Sequence, residues 1–330
     1  MTPATGPRPL RVAEVPAPRV RGVGLLTGWG QGPPAAVAAP PGGGGGLVAV
    51  PTPALSGERF RRATRECLLA VAAVRAAATA GGLGEDELAG DRTGILYVSA
   101  TGYAAANRAF LEDEGSTTLH FPYTSPSAVP GEVTIEYGIR GPYVNLMGGG
   151  TATLQGFWYA ARWLADGVAD RVVLLAVEAV HEVRDLFTRA RRLYAGPLIE
   201  GAACVVLERP AASAAPAGFG PLRWASAAVG RGRRPDAVTA VLGSVLGEER
   251  PAVLASGARD PGLQRAEGRA LGERGAGAAR TSAAGLGEAL ACGPLLGLAE
   301  AEALGLDGPC LLTAAWLNDY GAMLWPRRRA

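Results

Sequence analysis

Apolar runs alternate with alanine-rich amphipathic segments along most of the chain. Residues 59–80 (RFRRATRECLLAVAAVRAAATA) predict a largely buried helix, stopped by Gly81-Gly82. GILYVSA (94–100) reads as a short apolar strand ending in Thr101-Gly102, and AAANRAFLEDE (104–114) as a helix. A second strand is expected near 144–147 and a helix over 151–165. VVLLAVEAV (172–180) is apolar on both faces, as expected of a strand inside a sheet covered by helices, and ACVVLE (203–208) is another strand. The C-terminal half repeats the rhythm with less material: helix 235–247, strand 252–258, helices 263–272 and 287–304, and a closing strand 310–317. Strands alternating with helices in both halves predict an α/β protein with central sheets covered by helices. Residues 31–46 (QGPPAAVAAPPGGGGG) read as a flexible loop.

The segment NLMGGGTATLQGFWYAARWLADG (145–167) takes a strand through three glycines straight into a helix. Such corners hold nucleophiles or phosphates in many enzymes, yet this one carries no Cys, Ser or Lys. It lacks the G-x-G-x-x-G spacing of a dinucleotide loop and the G-x-S-x-G of a hydrolase elbow. On the residues alone, close packing of a helix start against a strand explains it.

Composition narrows the chemistry further. In 330 residues, 48% hydrophobic, there is ample material for a core. All 32 basic residues are arginine, which removes Schiff-base chemistry and a P-loop lysine. A net charge of +2 with interspersed signs gives no reason to expect nucleic acid. The four cysteines form no CxxC pair and the two histidines are not spaced as ligands, so no zinc site is expected. With no apolar leader and no membrane-length apolar run, the reading is a cytoplasmic protein with reduced, buried cysteines.

The stretch from Ile135 to Val180 resembles the core of β-ketoacyl synthases, the condensing enzymes of the thiolase fold. That family has a Gly-Pro, a nucleophilic Cys nine residues after the Gly, then Gly-x-x-Asp, an apolar strand and Glu-Ala. Gly141-Pro142, Gly167, Asp170 and Glu178-Ala179 keep that frame, while the nucleophile's place is taken by Gly150. IEGAACVVLE retains the family's strand entry at Glu200, Gly201 and Ala202. In ASGARDPGLQRAE, Ser256 stands at the first catalytic histidine and Glu267 is kept. In TSAAGLGEALACGP, Ala283 stands at the lysine and Glu288 at the second histidine. The family's Gly-Phe-Gly-Gly turn is eroded to Trp316-Leu317-Asn318-Asp319.

The resemblance implies a thiolase-like fold of two pseudo-repeated halves, 1–209 and 210–330, with mixed sheets in an α-β-α-β-α layering. It implies no cofactor and no metal. Condensation needs a thiolate at a helix N-terminus and two donors for the enolate; without them the chain should be silent as a ketosynthase. The type II polyketide chain-length factors fit that description, pairing with an active ketosynthase as a heterodimer that works with acyl carrier protein. A polyene-forming system is the expected setting. By the same resemblance, Tyr103, Ala106, Phe110 and His120 line the acyl tunnel, and Val144, Leu146 and Met147 lie at the dimer interface. Tyr103, Ala106 and Phe110 are spaced for one helical face, which an ordinary core stripe would also give.

Alternatives stay open. An acyltransferase or hydrolase on this fold could use a relocated nucleophile, Thr151 or Ser256, although helix N-capping explains Thr151 better. A homodimeric acyl-binding scaffold is the third reading. His181 reads as a loop residue and Cys204 as a packed thiol. Arginine clusters at 189–192, 231–234 and 327–329 are surface candidates for docking an acidic carrier protein.

Overall fold

The computed structural model describes residues 10–31, 47–112, 121–190, 197–209, 220–229, 234–257, 260–274, 279–280, 287–303 and 308–326. His120, Ala283, Arg191, Arg192, Arg231, Arg233 and Arg327 to Arg329 lie outside the described residues, as do the side chains of Arg189, Arg234 and Ser256.

Two six-stranded sheets organise the molecule. The first is built from β2 (Arg19–Thr27), β3 (Gly30–Gln31), β5 (Thr93–Ser99), β6 (Tyr143–Met147), β7 (Arg171–Glu178) and β9 (Gly201–Glu208), in the order β3-β2-β9-β7-β5-β6. The second contains β1 (Arg11–Val15), β10 (Leu222–Ala228), β11 (Val253–Gly257), β12 (Ala279–Arg280), β13 (Cys310–Trp316) and β14 (Asp319–Trp325), in the order β1-β10-β14-β13-β11-β12. A small pair, β4 (Leu47–Val48) with β8 (Leu198–Ile199), stands apart.

Strand directions reveal an internal repeat. In the first sheet β2, β9 and β7 pair antiparallel in turn, and β7, β5 and β6 pair parallel. In the second, β10, β14 and β13 are antiparallel and β13, β11 and β12 parallel. β1, from the N-terminal end of the chain, completes the second sheet by pairing with β10.

The helices fill three layers around these sheets. On the outer face of the first lie α1 (Arg65–Ala80) and α3 (Ala128–Tyr137); Leu69, Val74, Val129 and Val133 pack there against Ile95, Tyr97, Val173 and Leu175. Between the sheets run α4 (Gly150–Ala165) and α8 (Gly293–Ala303), where Leu154, Phe157, Leu295 and Leu298 meet Leu174, Ala176, Leu312 and Met323. Each such side chain, fully removed from water, contributes about 2 kcal/mol. On the far face of the second sheet, α6 (Arg234–Leu246) and α7 (Pro261–Glu273) cover Leu254, Leu311 and Leu324. α2 (Ala104–Glu112) and α5 (Arg184–Ala190) sit at one end of the first sheet. The result is the α-β-α-β-α layering expected of the thiolase-like resemblance.

Several boundaries differ from the sequence reading. The helix expected over 59–80 begins at Arg65, where the Thr64 hydroxyl accepts from the Cys67 amide; a 3₁₀ turn, Glu58–Arg61, precedes it. The helix expected from 287 begins at Gly293, after a 3₁₀ turn at Leu290–Cys292. Tyr103 lies in the turn before α2 rather than on the helix. No helix among the described residues is long and apolar enough to cross a membrane.

Candidate functional site

The glycine corner is the junction of β6 and α4. Gly148 donates its amide to the Ser99 carbonyl at 2.9 Å, Gly149 is the N-cap, and Gly150 is the first residue of a 16-residue helix. No side chain caps this helix. Thr151 sits inside its first turn, so the expected capping role is corrected: an N-cap hydroxyl must lie one residue before the helical backbone begins.

The second half of the chain fills the space in front of that turn. A Cβ on Gly150 would stand 2.9 Å from Ala314 Cβ, 3.3 Å from Pro294 Cδ and 3.4 Å from the Leu290 carbonyl oxygen. A Cβ on Gly149 would meet the Trp316 ring at 2.5 Å. Both glycines are therefore required by close approach, and a thiol at Gly150 has no room without displacing Ala314 or the turn at Leu290.

Around this corner, two buried carboxylates bind loops to the end of the first sheet. Glu178, the last residue of β7, is fully buried and accepts from the amides of Ala100 (2.7 Å), Thr101 (3.0 Å) and Ala291 (3.0 Å) and from the Thr101 hydroxyl (2.8 Å). Burial pushes its carboxyl up to about 7 against the pull of these donors. Glu200, just before β9, accepts from the amides of Val50 (2.7 Å) and His181 (3.0 Å) and forms a two-pronged ion pair with Arg65. Burial works to raise this carboxyl too, but the Arg65 guanidinium and the amide donors outweigh it and hold the group below its ordinary range. Glu178 thereby ties the first sheet to the 3₁₀ turn of the second half, and Glu200 ties β9 to α1.

Glu288, expected at the place of the second histidine, accepts from the Leu290 amide at 2.7 Å and pairs its backbone with Leu198, bracing the turn that presses on Gly150. Ser256 lies on β11 opposite Thr313 of β13. Tyr103, Ala106 and Phe110 are half-buried and belong to none of the buried clusters, which Ala104 and Ala105 join from the other side of α2. Phe110 meets the exposed Phe121 at 5.9 Å between ring centroids. Val144 and Leu146 turn toward the intersheet core, and Tyr143 and Met147 are exposed on β6, whose second edge pairs with no strand among the described residues. His181 is exposed at the start of a 3₁₀ turn. All four cysteines are free and buried; burial alone pushes Cys204 far above its ordinary value. Among the described residues no cluster of three or more His, Cys, Asp or Glu could hold a metal.

Residues 51–194 match the family described as beta-ketoacyl synthase, N-terminal domain. Solved structures similar to this chain include AntDE:AntF, described as a type II PKS acyl-carrier protein in complex with its ketosynthase bound to the hexaketide. It is 16% identical, with a TM-score of 0.78 over 94% of this chain and 99% of that one. The ishigamide ketosynthase/chain length factor is 19% identical, with a TM-score of 0.72 over 94% and 99%. A beta-ketoacyl synthase from Burkholderia phymatum STM815 is 15% identical, with a TM-score of 0.73 over 95% and 100%. No curated protein matches the chain in sequence.

Sequence reasoning missed how the corner is closed. Trp316 was visible only as part of an eroded turn, and the hairpin that aims it at Gly149 depends on Leu317 taking a left-handed backbone (φ 52°). Arg65 gave no signal either, since its partner lies 135 residues away.

Proposed function

We propose that the chain is the non-catalytic, chain-length-factor-like partner of an active ketosynthase, acting in the cytoplasm on chains carried by an acyl carrier protein. In this reading the halves 1–209 and 210–330 form one thiolase-like unit, with β1 exchanged onto the second half's sheet. The corner carries the proposal. Gly150 occupies the nucleophile's place, and Ala314, Pro294, the Leu290 carbonyl and Trp316 fill the volume that a thiol and its thioester would need. A thioester cannot form on glycine, and an anionic enolate gains nothing from Glu288 in the place of an imidazole.

The open edge of β6 supports the partnering. Pro142 accepts from the Ile95 amide and Gly148 donates to Ser99, so alternate residues Val144 and Leu146 bond to β5. The main-chain groups of Tyr143, Asn145 and Met147 then face outward, ready to accept an antiparallel strand. Tyr143 and Met147 are exposed on β6. Tyr103, Ala106, Phe110 and His120 would border the tunnel that receives the growing chain.

Co-expression with a type II ketosynthase tests this. A one-to-one complex in size-exclusion chromatography is expected. A stable homodimer without affinity for the ketosynthase would overturn it.

A further inference from the structure

Leu290 (φ 50°) and Leu317 (φ 52°) are the two non-glycine residues, among those described, whose backbone lies in the left-handed region. Both belong to the closure of the glycine corner. Leu290 opens the 3₁₀ turn whose carbonyl faces Gly150, and Leu317 follows Trp316 in the β13–β14 hairpin. A residue with a Cβ is strained in that region, a cost that a relaxed turn avoids. Both costs fall on the segments that press against Gly149 and Gly150, so the corner is held shut against strain.

Trp316 sits there as a stopper. On its inner side the ring carbons Cε3, Cδ2 and Cγ stand 2.5, 2.7 and 3.0 Å from where a Cβ on Gly149 would be. The indole also packs against the buried apolar cluster of Val180, Val183, Leu198 and Leu290, to which α2 adds Ala104 and α5 adds Phe187. Its remaining surface is half-exposed and borders a surface cleft together with Gly148 and Thr151. The buried Glu178 carboxylate at the end of β7 has its oxygens taken by the amides of Ala100, Thr101 and Ala291, so it offers nothing to a ligand.

Without the indole, this place becomes a pocket with apolar walls and a mouth open to water. An apolar cavity stays dry and takes an apolar guest. Because the mouth lies at the surface, the guest that fits has a hydrocarbon tail pointing inward and a polar head left in water. We infer that Trp316 is the residue that makes this chain refuse acyl groups: its indole plugs an apolar pocket that otherwise takes the tail of a fatty acyl group. The purpose of the plug rests on the silent-subunit reading above, in which a closed corner denies the growing chain a place to stall. Its binding test needs no partner.

Isothermal titration calorimetry of the full-length chain with octanoate supplies that test. Trp316→Ala should bind octanoate about tenfold or more tightly than the parent chain does, through the methylenes it buries. Acetate, which has no tail, should bind the two proteins alike. Trp316→Phe keeps a ring in the pocket and should behave as the parent. Should Trp316→Ala lack native circular dichroism, Trp316→Leu, which leaves a smaller void, takes its place with the same expectation. A folded variant as indifferent to octanoate as the parent, or a parent that binds it as tightly as the variant, overturns the plug and leaves the pairing with a ketosynthase untouched. A chain that never pairs with a ketosynthase, yet gains octanoate binding when Trp316 is truncated, keeps the plug and loses only the heterodimer.

Discussion

Gly150 and Glu66 are where single residues decide the most. At Gly150 the Cβ of any other residue meets Ala314 at 2.9 Å, so a cysteine there is overpacked. Gly150→Cys should lower unfolding stability by about 1–3 kcal/mol in denaturant titration. It should also take up no acyl group from acyl-loaded carrier protein in an intact-mass measurement. Glu66 lies in the first turn of α1, buried, with one carboxylate oxygen unpartnered. Burial, reinforced by the negative charges of Glu182 and Glu178, pushes its carboxyl up to about 8. A carboxyl raised on folding favours the native state while protonated, so its contribution is full below the ordinary carboxyl range and drains away as pH climbs toward 8. Glu66→Gln should abolish that loss: urea unfolding of the two proteins should converge near pH 4 and separate by a few kcal/mol at pH 8, with the variant the more stable. A constant gap across that range would show that Glu66 does not carry the titration.

At the scale of elements, β6 and α2 carry the functional reading. The outward amide of Asn145 can be removed without touching the bonds to β5, because proline is tolerated where a strand's N–H faces solvent. Asn145→Pro should therefore leave the lone chain's circular dichroism unchanged and abolish pairing with the ketosynthase in size-exclusion chromatography. On α2, Phe110→Ala should lengthen the product released by the pair; an unchanged product profile would take Phe110 out of the tunnel wall. Most strands and helices were legible because a both-face apolar run such as 172–180 has few alternatives inside a layered fold. The misses have local causes. β2 carries Gly22 and Gly24, which break its apolar pattern, and the α1 backbone at Ala73 and Ala77 packs directly onto them. α3 places Pro130 and Gly131 in its opening turn, where they read as a loop. β14 follows β13 through Leu317-Asn318, a pair without the glycine that signals a tight hairpin.

Across the whole molecule, the doubled topology and the Glu178 tie hold the two sheets in register. The frame Gly141-Pro142, Gly167, Asp170 and Glu178 was readable because it follows a family spacing. The packing of Trp316, Pro294 and Ala314 onto the corner was not, since it joins segments more than 140 residues apart. The central claim is that this architecture serves as the silent member of a pair. Native mass spectrometry of the co-expressed complex, after exposure to acyl-loaded carrier protein, addresses it most directly. The account predicts a one-to-one heterodimer in which only the ketosynthase gains the acyl mass; an acyl adduct on this chain, or a homodimer indifferent to the ketosynthase, would contradict it.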